Sequence, residues 1–121
     1  MERARFIDHN GVRIFYIDFS GCSIEEANEV IEASAGHIRS EPEGTVLTLT
    51  YTDGGKFNSE LIGVLKEFTK GNIPYVKAAA VVGISGLQKI VLDAVSLFSS
   101  REFSTFESLD EAKDYLAGYA G

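Results

Sequence analysis

One stretch of the chain brings together the residue types that a ligand site or a phosphorylation site would use. It is LTLTYTDGGKFNSELIGVLKEF, Leu47 to Phe68, with Asp53-Gly54-Gly55 followed by Asn58-Ser59. An apolar strand pattern runs into a glycine-bearing turn and then into an amphipathic helix. Ligands gather at the carboxyl ends of strands in open sheets, and a helix start favours negative charge. Asp53, Gly54, Gly55 and Asn58 are therefore the candidate binding loop, and Ser59 the candidate phospho-acceptor. The same residues also make an ordinary connection. Asn58 is a good N-cap for the backbone N–H of Glu60 or Leu61, and Phe57 with Ile62 suits a hydrophobic staple.

Elsewhere the reactive residue types are scattered. Cys22 is the single cysteine, so no internal disulfide forms, and a nucleophilic thiol would need a base that the distant His9 and His37 do not obviously supply. The two histidines have no metal-ligand spacing. GGKFNS lacks the glycine spacing and the Ser or Thr after Lys of a phosphate-cradling loop, and GISG lacks the third glycine of a dinucleotide turn. No Gly-x-Ser-x-Gly elbow is present. Glu25, Glu26, Glu29 and Glu32 fall on the wet side of one helix, and Asp110, Glu111 and Asp114 in the first turns of another, where acids suit the dipole. No catalytic constellation emerges. The expectation is a non-enzymatic protein with no cofactor and no metal.

The elements that must position these residues are legible in turn. ARFIDHNGVRIFYIDF is a hairpin about Asn10-Gly11, its second strand apolar on both faces. Ser23 and Glu26 make a capping box ahead of a helix whose face runs through Ala27, Val30, Ile31, Ser34, Ala35 and Ile38. In TVLTLTY, Leu47, Leu49 and Tyr51 face one way and Val46, Thr48 and Thr50 the other. The next helix starts at Asn58, buries Leu61, Val64, Leu65 and Phe68, and stops at Gly71. VKAAAVVG is a strand whose alanines suggest close approach of a helix. Ser85 and Gln88 predict a second capping box, before a helix with the stripe Leu87, Ile90, Val91, Ala94, Val95 and Phe98. REFSTFES is a strand, with Phe103 or Phe106 inward. Ser108 and Glu111 predict a third box, before a helix facing inward with Leu109, Ala112, Tyr115, Leu116 and Tyr119.

Residues 1–121 thus form one α/β domain, a five-stranded mixed, mostly parallel sheet with four helices. Consecutive crossovers place their helices on one face. The last helix or another subunit must cover the other, so a homodimer is an expectation. At 45% hydrophobic residues there is enough for a real core, and the net charge of −7 with scattered Lys and Arg speaks against nucleic acid; an acidic surface is most often a solubility device, and if it steers anything, it steers a basic protein partner. No run reaches the ~18 apolar residues of a membrane span, and MERARFIDHN has no apolar core of a secretory signal. A cytoplasmic location is the default expectation.

The strand order, the Asn58-Ser59 pair and the ending VVGISGLQKIVLDAVSLFSSREFSTFESLDEAKDYL resemble the SpoIIAA-like (STAS-like) proteins, from Arg5 to Leu116. The resemblance implies a regulatory or protein-interaction module. In the anti-sigma-factor antagonists of the wider STAS group an Asp-Ser pair opens this helix and the Ser is phosphorylated. Ser59 keeps that hydroxyl, while Asn58 stands in place of the acid and Glu60-Leu61-Ile62 in place of small residues. The related CRAL-TRIO proteins hold lipids in an apolar pocket. That implies an alternative, a carrier of a small apolar ligand, which Tyr51, Phe57 and Phe103 near strand ends would serve.

Overall fold

The structure, a computed structural model, describes residues 3–84 and 86–120. Nine elements follow one another: β1 (Ala4–His9), β2 (Val12–Asp18), α1 (Ile24–Ile38), β3 (Val46–Tyr51), α2 (Ser59–Asn72), β4 (Val76–Val82), α3 (Leu87–Ser99), β5 (Ser104–Phe106) and α4 (Leu109–Ala120). The strands lie in sequence order β1-β2-β3-β4-β5. β1 pairs antiparallel with β2, and every other pairing is parallel. This is the mixed sheet with four helices expected from the sequence.

The hairpin turns where Asn10-Gly11 requires it. Both residues have positive φ, +53° and +79°, the pair of left-handed conformations that a two-residue primed turn needs. Ser23 accepts from the Glu26 N–H at 3.1 Å and Glu26 accepts from the Ser23 N–H at 3.0 Å, so the first capping box is complete. At α4 the cap is simpler. Ser108 Oγ accepts from the Glu111 N–H at 3.2 Å and donates to the Glu111 carboxylate, so the reciprocal half of the box is replaced by a side-chain pair.

Two elements depart from expectation. Gly71 does not stop α2, which continues to Asn72. A Cβ at 71 would collide with the Arg39 guanidinium. Arg39 lies across the helix there, donating from Nε to Asn72 Oδ1 at 3.1 Å and from Nη2 to the Phe68 carbonyl at 3.3 Å. At α3, Ser85 lies outside the described residues. Gly86 precedes the helix without a side-chain cap, and Gln88 is engaged elsewhere, as described below.

The sheet divides the core in two. On one face Ile14 and Tyr16 of β2, Leu47 and Leu49 of β3 and Ala78, Ala80 and Val82 of β4 are closed over by Ala112 and Leu116 of α4. On the other, Phe15, Ile17, Val46 and Ala79 meet Ala27, Val30, Ile31 and Ile38 of α1 and Leu61 of α2. Both faces of β2 are thus covered within the chain, and β2 gives no reason for a second subunit. Phe103 joins the α1/α2 cluster and Phe106 the α4 cluster, so both aromatic residues of the fifth strand region turn inward, to opposite faces.

Candidate functional site

The Asp53-Gly54-Gly55 turn and the start of α2 are held by the chain's own backbone. Asn58 Oδ1 accepts from the Leu61 N–H at 2.8 Å, as a structural N-cap does. The Gly55 N–H donates to the Thr52 carbonyl, the Lys56 N–H to the Cys22 carbonyl, and the Asp53 carbonyl accepts from Gly21. Gly55 is pressed so closely on Phe19 that a Cβ would lie 2.7 Å from its carbonyl oxygen, and Gly54 needs its φ of +73°. The glycines serve this tight docking of two loops, and the Gly55 and Lys56 amides are already engaged. Ser59 is exposed at the first position of α2.

Cys22 is fully buried. Its thiol approaches the Asp18 carbonyl at 3.9 Å, and burial pushes its pKa up, against the pull of Arg3. A thiol held protonated is a poor nucleophile. His9 pairs with Asp114 of α4 at 2.7 Å, and the His37 ring stacks at 5.7 Å from that of Phe15. Among the described residues, no group of three or more His, Cys, Asp or Glu is gathered as metal ligands.

What the fold does build is a cavity of about 140 Å³ between the sheet and the α2–α3 pair. Its floor is Thr48 and Thr50 of β3 with Ala79 and Val81 of β4; its walls include Leu61, Leu65 and Phe68 of α2 and Val91, Leu92 and Val95 of α3. The cause lies in the floor. These side chains are small or β-branched and short, and α3 makes up little of the difference. Of the stripe expected to be buried on α3, Val95 is, but Leu87 and Ile90 are 69% and 65% exposed, and Leu97 is 86% exposed on the same outer side. A helix apolar on nearly all sides usually lies in a core. This one roofs a cavity with one side and presents the other outward. Phe98, also exposed, has the ammonium groups of Lys66 and Lys70 at 5.6 and 5.4 Å from its ring centre.

Gln88 explains how the roof is held. Its Nε2 donates to the Thr52 carbonyl at 2.9 Å, tying the first turn of α3 to the candidate loop after β3. Of the three aromatic residues expected near an apolar ligand, Phe57 and Phe103 line the cavity. Tyr51 points to the opposite face, against the α4 cluster, as its place in the alternation with Leu47 and Leu49 requires. Gly55 borders the cavity, and Asp53, Gly54, Asn58 and Ser59 do not. Sequence reasoning missed Thr48, Thr50, Gln88 and Arg101. The signal was a run of small side chains on one face of two adjacent strands, opposite an over-apolar helix.

No protein-family model, curated protein or solved structure matches the chain. No helix among the described residues is long and apolar enough to cross a membrane.

Proposed function

We propose that the protein is a non-enzymatic binding module that takes an apolar chain or ring into the cavity beneath α3. This is the carrier reading of the two that the SpoIIAA-like resemblance leaves. The observation that carries it is the cavity itself. The pocket is lined mainly by apolar side chains and is partly open, so a guest that enters covers apolar surface otherwise left to water, at about 25 cal/mol per Å². An engineered apolar cavity of about 150 Å³ binds benzene, so the volume suits a small ring or a short aliphatic chain. The test is thermal unfolding with benzene, toluene or octanol at saturating vapour or solution. Concentration-dependent stabilisation is expected, and no shift with any of them would end the reading.

A second reading, a regulatory module that docks a protein, draws on the outer face of α3. Leu87, Ile90 and Leu97 are all more than half exposed and recur at helical spacing, as in an amphipathic docking helix. A basic partner suits the acidic remainder of the chain and a homodimer suits the apolar face. The expected signature is a sedimentation coefficient, for the protein alone or with a partner, that falls in Leu97→Asp while the unfolding temperature holds. Identical sedimentation of the two proteins would remove this reading. Ser59, exposed at the helix start, is the residue through which phosphorylation would act on such docking.

A further inference from the structure

The binding reading leaves the polar end of the ligand unspecified, and the charges around the cavity address it. Among the described residues two charged side chains border the cavity and both are cations: Lys56, just past the carboxyl end of β3, and Arg101, at the other end of α3 where the chain turns toward β5. No described Asp or Glu lines it. Lys56 is exposed, whereas Arg101 is largely covered. Arg101 Nη2 donates to the Val76 carbonyl at 2.8 Å, and among the described residues no carboxylate lies within ion-pair distance of it. Burial pushes the Arg101 pKa down, though a guanidinium stays charged at any working pH.

Arg101 is partly covered, its described partner is a neutral carbonyl, and its other N–H groups are not sealed from water, so they are open to a ligand. Its remaining N–H groups form a planar fork, which matches a carboxylate. From Val76 to Val81 the floor of the cavity extends five residues along β4, about 16 Å at ~3.3 Å per residue. That floor leads from Arg101 toward Gln88 and Lys56. We infer that the ligand is a single-chain monocarboxylate, its carboxylate on Arg101 and its hydrocarbon tail along Thr48, Thr50, Ala79 and Val81. This rests on the binding reading above and adds the head group. Lys56 is too well hydrated to prefer an anion by much.

Calorimetric titration of the full chain with octanoate and with octanol tests the assignment. The wild type binds octanoate at least tenfold more tightly than octanol. In Arg101→Gln octanoate falls to the level of octanol, while octanol itself stays within twofold and so reports an intact cavity. Arg101→Lys, which keeps the charge and loses the fork, retains a reduced preference, and Lys56→Gln leaves the preference whole. Equal affinities in the wild type, a preference that survives Arg101→Gln, or one lost in Lys56→Gln would each overturn the head-group assignment while octanol binding leaves the cavity reading standing. If neither compound binds, both fall.

Discussion

The two faces of the sheet solve the same packing problem differently. Under α4, Leu47 and Leu49 fill the space above β3, and Ala80, Ala112 and Leu116 are fully buried. Under α3, Thr48, Thr50 and Ala79 stand where larger side chains would be needed, and about 140 Å³ is left. The strands are shared, so the difference cannot come from the backbone. It comes from which alternate residues point each way and from how each helix spends its apolar surface. α4 turns Ala112 and Leu116 inward. α3 turns Val91, Leu92 and Val95 toward the cavity and sends Leu87, Ile90 and Leu97 outward. A dense face stabilises, and a face left with room is where a guest fits.

The sharpest way to break this contrast is to remove volume from the dense face. Leu116→Ala is expected to cost about 3–4 kcal/mol, within the usual range for a fully buried leucine, read as a lower urea midpoint. A paired experiment then reverses the sign across one strand. Ala80→Leu overpacks the α4 face and is expected to cost about 1–3 kcal/mol. Its neighbour Ala79→Leu grows into the cavity and is expected to stabilise by about 1 kcal/mol while abolishing octanol binding. Equal destabilisation by both would mean that the α3 face is as full as the other.

Asn58→Ala removes the cap of a helix that walls the cavity and is expected to cost about 1 kcal/mol. Ser59→Ala, one residue on, is expected to change stability by less than about 0.5 kcal/mol, since an exposed substitution with no required partner seldom does more. Alkaline titration separates the faces more gently. Burial raises the Cys22 thiol above its ordinary 9.0 on the α3 side and Tyr16 above its ordinary 10.0 on the α4 side. In each case the folded state holds the proton longer than the unfolded chain, so stability is intact below the ordinary value and is lost as pH rises through the raised one. Denaturant midpoints should begin to fall from about pH 9 in the wild type, and only from about pH 10 in Cys22→Ala.

Much of this architecture was legible because local signals agreed. Asn10-Gly11, the Ser23–Glu26 box and Asn58 each fixed an element boundary through hydrogen bonds made within a few residues, and the alternation in TVLTLTY assigned both faces of β3 correctly. Gly71 misled because a glycine near a helix end marks the stop when it takes a left-handed φ, and Gly71 does not. The stripe on α3 misled for another reason. Periodicity shows that a helix has an apolar side but cannot say how much lies opposite to receive it. The cavity depends on Thr48, Thr50 and Ala79 meeting α3 across the fold, and Gln88 reads as a capping residue until the Thr52 carbonyl is found beside it.

The strand order carries a consequence for how the chain reaches this state. Each strand from β2 to β5 pairs with the one made just before it, so the sheet can extend one strand at a time as the polypeptide leaves the ribosome, with no early strand waiting for a distant partner. Relatively short-range connections of this kind favour fast folding. The exception is α4, which packs back on all five strands. Until it arrives, Ile14, Leu47 and Leu49 face water, so a chain arrested before residue 109 would hold a nearly finished sheet with one greasy side bare. Such an intermediate, with one apolar face bare, is the aggregation-prone species of this fold, and α4 removes it by closing over that face.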